Sequence, residues 1–74
     1  MKAVITVTKY PSMPGRYRGQ CNPPKGRAYG RDFFDEGDAA AWCVSEGMSY
    51  KEGYVIIAPA AVEDKIPAGL QQSA

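Results

Sequence analysis

The segment KAVITVTKY (residues 2–10) alternates apolar and polar side chains with period two, and no other stretch constrains the chain as tightly. Ala3, Ile5 and Val7 fall on one face, with Thr6, Thr8 and Tyr10 on the other. Successive side chains of a strand point to opposite sides, so this alternation with β-branched residues predicts a strand with one buried face. Pro11 has no N–H to give to a ladder and ends the strand. Pro14 and Gly15 then supply the fixed and the permissive φ of a reversing turn. RYRGQCN alternates again, with Tyr17, Gly19 and Cys21 on one face and Arg16, Arg18 and Gln20 on the other. The two segments read as a β-hairpin with a long, proline-stiffened loop.

NPPKG (residues 22–26) is a second turn signal, and RAYGRDFF reads as a third strand that Gly30 weakens. In DEGDAAAWCVSEG, Asp35 suits an N-cap, Glu36 and Asp38 suit the positive end of a helix dipole, and Gly47 suits the C′ position. A helix from about residue 36 to 46 follows. Ala40, Cys43 and Val44 share one face of it, and Trp42 beside them is expected to fill the gap between helix and sheet. GYVIIAP reads as a buried strand. AAVEDKIP, anchored by Val62 and Ile66, is a short final strand or a covering segment, and GLQQSA is a polar tail. The predicted fold class is α+β: a small antiparallel sheet of four to five strands with one α-helix packed on one face, in the order βββαβ(β). Residues 1–70 form a single domain, and 71–74 a flexible tail. The uncovered sheet face is expected to be polar or occupied by a partner.

A chain of 74 residues builds one small domain, which buries only about 60% of its unfolded surface. Two cysteines are no disulfide framework, and without histidine they cannot complete a four-ligand zinc site. Cys21 and Cys43 are therefore expected as free, partly buried thiols, in keeping with a cytosolic protein. The longest apolar run, residues 54–62, is broken by Pro59 and too short to span a bilayer. No signal peptide is evident, so a soluble protein is expected.

The absence of histidine removes Ser-His and Cys-His catalysis. Asp32, Asp35, Glu36 and Asp38 could in principle hold magnesium, but capping of the following helix accounts for them. No phosphate-cradling glycine motif is present. The expectation is a protein that is not an enzyme and uses no cofactor or metal. Charge is more informative. Residues 1–31 carry seven cations and no acid, whereas residues 32–74 carry all eight acids with only Lys51 and Lys65. Such asymmetry points to nucleic acid or another charged partner, unless the halves interleave into a mixed surface.

KGRAYGRD partly matches the third-strand signature of RNA-recognition motifs. Arg27 and Asp32, however, stand where base-stacking aromatics belong, so sequence-specific RNA binding is not expected. Tyrosine and arginine are also the residue types enriched at protein interfaces. The candidate partner-binding residues are Lys9, Tyr10, Arg16, Arg18, Arg27, Tyr29 and Arg31, with Asp35 and Glu36 as an acidic element.

VITVTKYPSMPGRY resembles the first hairpin of a small anti-CRISPR family acting on type I systems (an I-F-like subtype), which carries V-x-V-T-x-x-P-x-x-P-G-x-Y. The matching residues are Val4 or Ile5, Thr6, Val7, Thr8, Pro11, Pro14, Gly15 and Tyr17. Gly26-Arg27-Ala28, Ala39-Ala40-Ala41, Tyr54-Val55-Ile56 and Ile66-Pro67 with Leu70 follow in the same order and at similar spacing. The helix differs, since the larger Trp42 follows its alanines. The resemblance implies a phage-encoded, non-enzymatic inhibitor in the cytoplasm of an infected bacterium. It would bind a Cas protein subunit of a type I crRNA-guided surveillance complex (Cascade- or Csy-type), with contact to the bound nucleic acid. It would block target DNA binding or recruitment of the effector nuclease. Neither a membrane nor a small-molecule substrate is implied, and a monomer or weak homodimer is expected. The alternative is a small nucleic-acid-binding accessory protein that uses the arginine-rich first three strands.

Overall fold

The computed structural model describes residues 2–67, so the expected tail at 71–74 lies outside the described residues, as does Leu70. Strands β1 (Ala3–Lys9), β2 (Tyr17–Asn22) and β3 (Tyr29–Phe33) are followed by helix α1 (Glu36–Met48), strand β4 (Tyr54–Ile57) and the short helix α2 (Ala60–Glu63). This is the predicted α+β class and element order. The strands form one sheet in the order β3-β2-β1-β4. β1 pairs antiparallel with β2, and β2 with β3, but β4 lies parallel to β1. The sheet is therefore mixed where a wholly antiparallel one was expected. The reason is α1, which carries the chain from the far end of β3 back to the end where β1 begins. A strand that starts there and pairs with β1 must run alongside it.

The hairpin follows its sequence closely. The Tyr10 N–H donates to the Arg16 carbonyl at 3.1 Å to close the loop, and Gly15 takes φ +82°. Ala3, Ile5 and Val7 of β1 and Tyr17 and Cys21 of β2 are buried beneath α1, as their alternation requires. Of these, Ile5, Val7, Tyr17 and Cys21 pack with Phe33, Ala39, Ala40, Cys43, Val62 and Ile66 into one core. Both cysteines are free and buried, and burial pushes the Cys43 thiol up to about 11. α2 and the turn after it supply the covering segment through Val62 and Ile66, and the segment starts as a helix where a strand was the other expectation. β4 is an edge strand whose Ile57 is 56% exposed, so it is not the buried strand its apolar run predicted.

Asp35 caps α1, its side chain accepting the Asp38 N–H at 3.1 Å. The helix runs past the expected stop: Gly47 lies inside it and Ser49 is the C-cap. Gly47 serves packing instead of termination. The Tyr54 ring rests on it so closely that a Cβ would stand 2.7 Å from the ring. Gly19 does the same for Trp42, whose ring would lie 2.7 Å from a Cβ there, with the Phe33 ring at 2.8 Å. Close approach of helix to sheet thus depends on one glycine in each layer. Among the described residues, no helix is long and apolar enough to cross a membrane.

Candidate functional site

Three of the predicted contact residues converge on one carboxylate. Asp32 faces away from the helix, directly across from Arg18 in the β2–β3 register. Its Oδ1 accepts the Tyr10 hydroxyl at 3.0 Å and Arg18 Nη1 at 3.3 Å, and its Oδ2 accepts Arg16 Nη2 at 2.7 Å. The Arg16 guanidinium also lies over two rings, at 4.8 Å from the Tyr10 centroid and 5.3 Å from that of Phe34. Its side chain is only 27% exposed. Arg16 is thus spent on tying the hairpin loop to β3. Arg18 shares Asp32 but stays mostly in solvent. The acid expected to belong with the helix N-terminus is instead the anchor of the basic hairpin.

The hydrogen bond from Arg16, followed by that from Tyr10, holds the Asp32 carboxyl below its ordinary value of 3.8. The Asp38 backbone N–H likewise lowers Asp35. A carboxyl whose folded pKa is depressed contributes stability above its unfolded pKa, and that contribution disappears as pH falls through the folded value. Asp38 is shifted the other way, raised by its bond with Asp35, and so opposes Asp35. Thermal melts between about pH 6 and pH 2 are therefore expected to show a falling melting temperature below about pH 4. Asp32→Asn should melt lower at neutral pH and show a shallower acid limb. An acid limb of unchanged steepness in that variant would remove Asp32 from the linkage.

On the helix side, Arg31 leans over the Phe33 ring, 5.4 Å from its centroid. Together with Phe34, Asp38, Ala41, Trp42 and Ser45 it lines an open groove of about 560 Å³ between β3 and α1. Phe34, at the upper rim, is 72% exposed. Trp42 packs at a tilt against Phe33 (centroids 5.4 Å, interplanar angle 51°) and lines the groove. The small side chains of Ala41 and Ser45 keep the groove open along the helix.

The remaining predicted residues scatter. Lys9 is exposed at the end of β1, and Arg27 is exposed in the β2–β3 loop at the opposite end of the sheet. The Tyr29 hydroxyl bonds to the Glu46 carboxylate and lies 2.8 Å from that of Tyr50, which also receives the Cys21 thiol at 3.5 Å. That chain of polar tips straps β3 to α1, and bonding to Glu46 raises the Tyr29 phenol well above its ordinary range. Asp35 is spent on the cap, and Glu36 is half-buried in the first helical turn. No three His, Cys, Asp or Glu side chains among the described residues group closely enough to hold a metal ion.

The site therefore brings together Tyr10, Arg16, Arg18 and Arg31, and adds Asp32, Phe34 and Trp42. The FF pair at 33–34 carried the missing signal: in an alternating strand one of two adjacent phenylalanines must face out. The arrangement offers aromatic surface flanked by guanidinium groups, the makeup of a protein-docking patch. No protein-family model matches the chain, and no curated protein matches it either.

Proposed function

We propose that the protein is a non-enzymatic anti-CRISPR inhibitor, made by a phage in the cytoplasm of its bacterial host. It acts by binding a Cas protein subunit of a type I crRNA-guided surveillance complex, so that target DNA binding or recruitment of the effector nuclease fails. The observation that carries this reading is the exposed Phe34 beside the Trp42 groove, with Arg31 along it and Arg16 stacked behind it. An aromatic side chain left in water on a 74-residue fold is a ready anchor for a protein partner, because its burial on binding removes a large apolar area from solvent. The resemblance adds the identity of that partner: its turn motif spans the hairpin whose Arg16 supports Phe34. The alternative, a nucleic-acid-binding accessory protein, draws on the arginines of the first three strands, and two of these, Arg16 and Arg18, are paired with Asp32.

The experiment is a phage plaquing assay in a host with active type I immunity, paired with capture of the purified surveillance complex. Expression of the protein is expected to restore plaques. Phe34→Ala should lose complex capture by about 30-fold, the effect of an interface anchor worth ~2 kcal/mol. Its melting temperature should change little, since exposed substitutions cost within about 0.5 kcal/mol. No rescue of phage growth across type I subtypes would sink this reading.

A further inference from the structure

We propose that the end of the molecule opposite the aromatic groove binds the phosphate backbone of a nucleic acid. β1 begins there, the β2–β3 loop turns there, and α1 hands over to β4 there. Three chain segments are thereby packed side by side. The Ala3 N–H donates to the Gly53 carbonyl at 3.2 Å, and the Lys2 side chain runs along Gly53, its Cγ 3.5 Å from where a Cβ would stand. Pro24 of the β2–β3 loop faces Tyr50, Lys51 and Glu52 across a cavity of about 260 Å³. Lys2, Lys25, Arg27 and Lys51 are consequently gathered on one end, and all four are exposed.

Charge is distributed unevenly between the two ends. Asp32, Asp35, Glu36, Asp38, Glu63 and Asp64 lie at or beyond the other end, where both ion pairs found among the described residues are made by Asp32. The basic end holds two acids, Glu46 and Glu52, and Glu46 is turned to the Tyr29 hydroxyl. Three long cations on proline- and glycine-rich turns, with Lys2 at the start of β1, thus meet one further carboxylate, Glu52. A protein partner would need a desolvated apolar anchor; the exposed apolar side chains at this end are Met48 and Tyr29, and the Tyr29 hydroxyl is engaged by Glu46. Phosphate contact needs only cations free to displace counterions. The sequence contrast between basic and acidic halves is thereby redrawn: at the hairpin tip Arg16 and Arg18 are held by Asp32 and Lys9 is left exposed, whereas four exposed cations stand at the other end. This inference stands apart from the proposed inhibitor function, since it requires no particular complex.

Fluorescence anisotropy with labelled single-stranded RNA in one arm and duplex DNA in the other, titrated from about 50 to 200 mM salt, tests it. Contact with three or four phosphates predicts a log–log slope of about −2 to −3 for the single strand and about −3 to −4 for the duplex, or roughly 20- to 150-fold weaker binding across that range. The triple variant K25A/R27A/K51A should lose at least tenfold in affinity at the lowest salt and flatten the slope. K65A, whose cation lies by the helix start, should match the parent. Binding in either arm with these properties supports the proposal. Failure of both arms at low salt, an unaltered slope in the triple variant, or capture of polyglutamate with neither nucleic acid bound would overturn it. Phage rescue can succeed or fail independently of all three results.

Discussion

Gly30→Ala is expected to cost the protein its cooperative thermal transition. A Cβ at this position would be driven into the Gly19 carbonyl oxygen, deep inside van der Waals contact. The obstacle is main chain, so no rotamer change relieves it. Gly19 cannot yield either, because the Trp42 and Phe33 rings close it off from the helix side. The β2–β3 ladder would have to open, at a cost of about 3 kcal/mol or more. A core of this size supplies only about 3–5 kcal/mol in total. Circular dichroism melts check this, with Gly15→Ala as the contrast: a Cβ there meets nothing, and only its positive φ of +82° is penalised. That variant should lose about 1–2 kcal/mol. A Gly30→Ala melting temperature within about 5 °C of the parent, roughly 1 kcal/mol for a domain of this length, would show that the two strands have slack.

Trp42→Ala carries the second largest expected effect, about 3 kcal/mol, at the low end for a truncated aromatic because the ring also lines the groove. Its loss would bare Gly19 and leave Phe33 without its ring neighbour. The melting temperature should fall by about 12 °C or more. Trp42→Phe keeps most of the contact and should cost less than about 1.5 kcal/mol. If Trp42→Ala melts like the parent but no longer captures the surveillance complex, the ring belongs to the interface and not to the core.

The fold was legible where local chemistry decided it. Alternation in β1 and β2, the proline–glycine turn between them and the Asp35 cap each involve neighbours in sequence, and each appears as read. What escaped depends on distant partners. The parallel pairing of β4 follows from where α1 ends, and the role of Gly47 follows from Tyr54. Gly30 looked like a weak point in a strand and is instead a point of closest approach. At the candidate site, tyrosine and arginine were flagged by type. Their mutual arrangement around Asp32 joins positions 10, 16, 18 and 32, which no spacing rule connects. Side chains that sequence reading left free for a partner, Arg16 above all, are engaged within the fold.

The pairing of β4 with β1 also sets a schedule for the newborn chain. Ala3 waits for Tyr54, about fifty residues later, before its outer edge is covered. At ordinary ribosomal speeds of about 5–20 residues per second, the interval from the end of β3 to the end of β4 is roughly 1–5 s. During that time the three-stranded meander presents the apolar β1 as an open rim, available to any other strand nearby. β4 therefore acts as a latch on β1, and vectorial synthesis delivers it only after the other three strands of the described sheet and α1 have been made.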